Sequence, residues 1–145
     1  MKRRWFLALP ALAAFGARAQ SQRFQPVQDI GPLVQKLTGG AKPDSGGIEV
    51  QLPQIAENGN SVPLRIRVPG DGKVAAIHVI AERNPRPLVA SFFLGPASGK
   101  AEVNTRIRLA GTQKLTVLVA MADGRFRISQ TDVLVTAAAC LDESM

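Results

Sequence analysis

Residues 62–68 read VPLRIRV and residues 103–109 read VNTRIRL. In the first run Val62, Leu64, Ile66 and Val68 alternate with Pro63, Arg65 and Arg67. In the second, Val103, Thr105, Ile107 and Leu109 alternate with Asn104, Arg106 and Arg108. A period of two sends successive side chains to opposite faces of a pleated strand. Wound as helices, the same runs would scatter arginines around the whole surface. Slipping either strand by one residue would turn its guanidinium groups into the core. These two runs commit the chain to half-buried β-strands, each with one dry and one wet face.

Other segments fit the same plan. Ile48, Val50 and Leu52 alternate over a shorter stretch, while KVAAIHVIAE, PLVASFFL, KLTVLVAMA and TDVLVTA are more evenly apolar, as expected of strands in the middle of a sandwich. Turn signals separate them: ENGN, PGDG, ERNPRP, GPASGK, AGTQ and ADGR. Six or seven short strands at this spacing predict an all-β fold, an immunoglobulin-like antiparallel β-sandwich. Ahead of them, Val27, Ile30, Val34 and Leu37 recur at spacings of three and four, which predicts a short N-terminal helix. Pro32 requires that helix to start near Asp29, and Gly39-Gly40 stops it. GGAKPDSGG then reads as a loop.

The first nineteen residues, MKRRWFLALPALAAFGARA, have a different character. A positive start precedes an apolar run from Trp5 to Phe15, and Ala17-Arg18-Ala19 forms a small-x-small cleavage site before Gln20. This is the layout of a secretory signal and is too short to span a bilayer. Arg3-Arg4 ahead of Trp5-Phe6-Leu7 resembles a twin-arginine export signal. The expected division is a signal peptide over 1–19, an N-terminal helix and loop over 20–47, a sandwich over 48–136 and an arm over 137–145. Removing the leader takes four cations from a formal charge of +7 and leaves +3. With no tyrosine and no basic run interleaved with aromatics, nothing points to nucleic acid, and no membrane contact is expected after the leader is lost. The expected location is the periplasm.

Export gives weight to the one cysteine. Cys140 sits in VTAAACLDESM, beyond the last expected strand. In an oxidising compartment a structural cysteine has a partner, and an odd one points to intermolecular pairing or a working thiol. Asp142 and Glu143 follow closely, and like charge raises a thiol above its usual ~8.5. Activation would have to come from a visiting partner. If the last strand ends near Thr136, four residues give the thiol a reach of roughly 13 Å at ~3.3 Å per residue. A carrier fits these properties.

Other candidates are weaker. His78, the only histidine, lies among apolar neighbours and reads as a satisfied strand residue. Cys140 and His78 cannot make a cysteine-rich zinc site, so no metal and no cofactor are expected. A Cys–His nucleophilic pair would need fixed geometry that a mobile tail does not supply. Glu49, Glu57, Glu82 and Glu102 are scattered, with no pair set for acid–base work. No catalytic residue is assigned and no enzyme is expected. PGDGK lacks phosphate-loop spacing and reads as a hairpin. The arginines at 65, 67, 106 and 108 line solvent faces.

The runs AENGNSVP and PASGKAEVNTRIRLAGTQ, with a cysteine directly after the last strand, resemble the SoxY family over roughly Ile30 to Cys140. That family is the sulfur-compound carrier subunit of the thiosulfate-oxidising Sox system. The resemblance implies an immunoglobulin-like sandwich forming a heterodimer with a second sandwich subunit, SoxZ. It implies covalent sulfur attachment at Cys140 and transient contacts with haem-containing and dimanganese Sox enzymes. The family tail ends Gly-Gly-Cys-Gly-Gly, whereas here Ala138-Ala139 precede Cys140 and Leu141-Asp142-Glu143-Ser144-Met145 follow it. Three readings stand: a sulfur carrier, a binding or scaffold subunit with an idle thiol, and a cysteine-dependent enzyme for which the sequence supplies no nearby base.

Overall fold

The computed structural model describes residues 26–70 and 72–139. The expected leader with Arg3-Arg4, and Cys140 with the residues after it, lie outside the described residues. Helix α1 spans Gly31–Thr38, with Pro32 in its first turn, where a missing N–H costs nothing. Gly39, at φ 63°, closes the helix in the left-handed region, and the Gly40 amide donates to Gln35 O at 3.0 Å. The helix ends at the glycine pair as its sequence predicts. It begins later, however, and leaves Val27 exposed outside it.

Nine strands follow: β1 (Asp44–Ser45), β2 (Glu49–Gln51), β3 (Ile55–Ala56), β4 (Val62–Arg67), β5 (Val74–Ala81), β6 (Leu88–Phe93), β7 (Glu102–Ile107), β8 (Gln113–Met121) and β9 (Phe126–Val135). They form two sheets. The smaller has the order β2-β4-β7, and the larger runs β1-β9-β8-β5-β6 with β3 also on β9. All pairs among the longer strands are antiparallel, but β1 and β3 each add two residues to β9 in parallel. The fold is the expected sandwich with two short parallel additions.

The alternating runs behave as their period requires. Val62, Leu64 and Ile66 are buried while Pro63, Arg65 and Arg67 are exposed. They pair with β7 so that Val62 opposes Ile107 and Ile66 opposes Val103. On the wet face Arg65 pairs with Glu102 and Arg67 with Glu49, at 2.5 and 3.7 Å. Such exposed pairs contribute about 0–1 kcal/mol each. The core lies between the sheets, where Leu64, Ile66 and Leu109 meet Ile77, Val79, Leu115, Val117 and Val133.

β5 and β8 are buried on both faces. Ile77 and Val79 point into the core, so Ile80 points away from it, as does Leu118 on β8, yet both are fully buried. The element available to cover them is α1, whose Leu33, Val34 and Leu37 are half-buried. The chain leading into α1 is tied to the larger sheet: the Gln28 amide donates to Glu82 O at 2.8 Å, and its side chain donates to Asn84 O at 2.6 Å. PLVASFFL, expected mid-sandwich, forms the edge strand β6, with Phe93 79% exposed. PGDGK is not a hairpin. It carries the chain from β4 in one sheet to β5 in the other, with Asp71 outside the described residues.

Candidate functional site

The residues that lead to Cys140 are fixed by backbone hydrogen bonds. β9 is continued past Val135 by the Thr136 amide, which donates to Ala56 O at 3.0 Å. At the next residue the chain meets the turn that follows β3. Ala137 O accepts from the Gly59 amide at 2.7 Å, and the Ala139 amide donates to Leu109 O at 3.0 Å. The Leu109 amide in turn donates to Gly59 O at 2.8 Å. Three segments far apart in sequence are thus clipped together, and Ala139 is buried.

Gly59 is buried at the centre of this clip, and its backbone does not require a left-handed conformation. Space is what selects glycine there. A Cβ would lie 2.5 Å from Leu109 O, 2.8 Å from Ala139 N and 2.9 Å from Ala137 O, all closer than packed atoms tolerate. The turn around it is shaped by Asn58, whose Oδ1 accepts from the Asn60 amide at 2.9 Å. Arg106 Nη1 donates to Ser61 Oγ at 3.2 Å.

Leu109, the other side of the clip, is held by a buried polar hub. Asn84 Nδ2 donates to Arg108 O at 2.9 Å, while its Oδ1 accepts from the Ala110 amide at 3.0 Å and from Gln113 Nε2 at 3.1 Å. Gln113 Nε2 also donates to Gly111 O, and Gln113 Oε1 accepts from the Arg83 amide at 2.8 Å. Buried amides of this kind are tolerated because each polar atom has a partner. In sequence, Asn84, Gln113 and Gly59 register only as turn residues in ERNPRP, AGTQ and ENGN. Nothing in those runs says what they bond.

The structure keeps His78 apart from this arrangement. His78 is buried on the outward face of β5 and shares a hydrogen bond with Ser91 Oγ on β6 at 2.8 Å. Phe93 meets its ring edge-to-face at 6.1 Å between centroids. Burial pushes the imidazole below its ordinary pKa, so it is neutral at neutral pH. It is the satisfied strand histidine that its apolar neighbours predict. Among the described residues no cluster of three or more His, Cys, Asp or Glu could hold a metal ion. Glu49 and Glu102 are taken up by Arg67 and Arg65. Arg106 and Arg108 are exposed on the wet face of the smaller sheet, as expected.

A two-sheet sandwich whose last described residues are held by backbone hydrogen bonds defines the class: an immunoglobulin-like domain. Residues 34–140 match the family model of the sulfur oxidation protein SoxY, and the chain belongs to that family. It is a Sox sulfur carrier and not an enzyme. Among solved structures it is similar to the sulfur carrier protein SoxY from Chlorobium limicola f thiosulfatophilum. The two are 31% identical over 72% of this chain and 94% of that one, with a TM-score of 0.62. The superoxide reductase (neelaredoxin) from Ignicoccus hospitalis shares the fold alone, at 12% identity over 62% of this chain and 80% of that one, with a TM-score of 0.54. Among curated protein sequences, none matches this chain.

Proposed function

We propose that this chain is a periplasmic carrier that holds thiosulfate-derived sulfur on Cys140 and presents it to separate Sox enzymes. One observation carries the reading: the family match extends through the sandwich and ends at residue 140, the cysteine itself. The thiol is the only one in the chain, so no intramolecular disulfide competes for it. In the loading step the sulfane sulfur of thiosulfate bonds to Sγ of Cys140. The thiol proton is released, and two electrons pass to a haem-containing enzyme. Hydrolysis at a dimanganese enzyme then breaks the S–S bond to the sulfonate, releases sulfate and leaves a persulfide on the carrier.

The proposal includes a SoxZ-like partner sandwich. β6 supports it, because this edge strand of the larger sheet has the uncharged sequence LVASFF and leaves Leu88 and Phe93 exposed. Edges of this kind are ordinarily blunted by charge or proline, or else covered. Export as a folded pair through the twin-arginine route fits a partner without its own signal.

A second reading, a scaffold subunit that pairs with SoxZ but does not load, draws on the tail itself. Ala138, Ala139, Leu141 and Asp142 stand where the family has glycines. Intact mass measurement on the exported protein, with and without reductant, separates the two. A carrier shows reductant-labile sulfur adducts after incubation with its cognate enzymes and thiosulfate. Cys140→Ala folds, binds the partner and shows none. Wild-type protein that stays free of adducts is the scaffold.

A further inference from the structure

We propose that Gly59 is a positioning residue for the thiol: by holding Ala137 and Ala139 against Leu109, it fixes the point at which Cys140 leaves the sandwich. This rests on the carrier reading for its purpose, though not for its geometry. With the clip closed, the anchored chain extends through Ala139, and Cys140 is the next residue. Any free chain ahead of the thiol therefore starts after Ala139 and not after Thr136. Counting four free residues from Thr136 overstates it, because the bonds at Ala137 and Ala139 are backbone-to-backbone and leave no trace in side-chain identity.

Two hydrogen bonds hold the start there. Breaking the Gly59–Ala137 and Ala139–Leu109 bonds would release Ala137, Ala138 and Ala139 and restore a reach of roughly 13 Å. An enzyme that accepts the thiol must either dock beside the closed clip, whose exposed residues are Asn58, Asn60 and Ala137, or open it. Any side chain at position 59 forces the second state, since its Cβ would meet three backbone atoms that cannot rotate away.

The test uses full-length mature protein. Amide exchange followed by NMR should find the Ala139 amide protected at least ~100-fold relative to the rate of an unstructured peptide of the same sequence, as for a hydrogen-bonded buried amide. In Gly59→Ala, that protection should fall by roughly tenfold or more, as expected when two hydrogen bonds are lost together. Val79 and Val117 in the core should keep theirs. Cys140 should then react several-fold faster with a bulky maleimide while its rate with iodoacetamide changes little, a steric signature that general destabilisation does not give. Should Gly59→Ala fail to fold, Ala139→Pro removes the donor to Leu109 O without touching the turn, and the same readouts apply. Wild-type Ala139 exchanging at the rate of an unstructured peptide, or a substituted protein with unchanged protection and reagent selectivity, overturns the proposal. Absence of sulfur adducts on wild type, with the exchange pattern intact, overturns the carrier reading and leaves the clip standing.

Discussion

Replacing Asn84 with alanine removes the hub that holds the 108–113 turn. The side chain is 5% exposed and serves three partners: Arg108 O, the Ala110 amide and Gln113 Nε2. Gln113 Nε2 keeps its bond to Gly111 O, so its loss is partial. Arg108 O and the Ala110 amide lose this partner outright, at about 1–3 kcal/mol for a fully buried group. Both bonds are only partly buried and water can enter the vacated space, so the lower half of that range applies to each. The expected loss is about 2–4 kcal/mol, a large share of the ~5–15 kcal/mol typical of a domain. For a domain of this size, at about 4 °C per kcal/mol, that lowers Tm by about 8–16 °C. Urea unfolding should give a lower midpoint with an unchanged slope, since the surface exposed on unfolding barely alters. Asn104→Ala, at an exposed position on β7, is the control and should stay within about 0.5 kcal/mol of wild type. Asn84→Ala that also stays within that margin would refute the hub.

His78 gives a pH dependence. Burial lowers its folded pKa below the unfolded value near 6.5, so the unfolded chain takes up the proton first, and stability falls as pH drops through that region. Its cross-strand neighbours Ser91 and Leu118 carry no charge to offset this. Urea midpoints at pH 8 and pH 5.5 should diverge in wild type and converge in His78→Gln; equal divergence in both removes His78 as the cause. At the open edge, Phe93→Lys should weaken association with a SoxZ-like subunit at least about tenfold by calorimetry, on the scale of an interface anchor, while leaving Tm within a few degrees. Unchanged affinity places the interface elsewhere.

The parts of this fold legible in sequence are those where side-chain type decides the outcome. β4 and β7 alternate because their arginines must stay wet, and β5 and β8 are apolar on both faces because both faces are covered. Composition could not distinguish β6 from a central strand: an edge strand that keeps apolar residues reads as an interior one. β1 and β3 are too short to show any period, and their pairing depends on where β9 happens to pass. Cys140 stands out in the sequence as the only thiol, and the family resemblance is what proposes a use for it. The clip that holds the residues before it was invisible, because its bonds run between the backbones of glycine, leucine and alanine. Asn84 was hidden for a related reason, since asparagine in a turn is ordinary whether or not its amide is buried.

The two borders of the larger sheet differ in kind. Along β9, the parallel additions β1 and β3 occupy Arg127-Ile128 and Leu134-Val135, and the stretch between them carries the exposed carboxylate of Asp132. Along β6, no other described strand takes up the free side. Continuous stacking of sheets from copy to copy requires two receptive borders on every copy, one to give and one to accept. With a single receptive border, the larger sheet can gain one neighbour through β6, after which that border is consumed. Assembly along this sheet is therefore self-terminating at a pair.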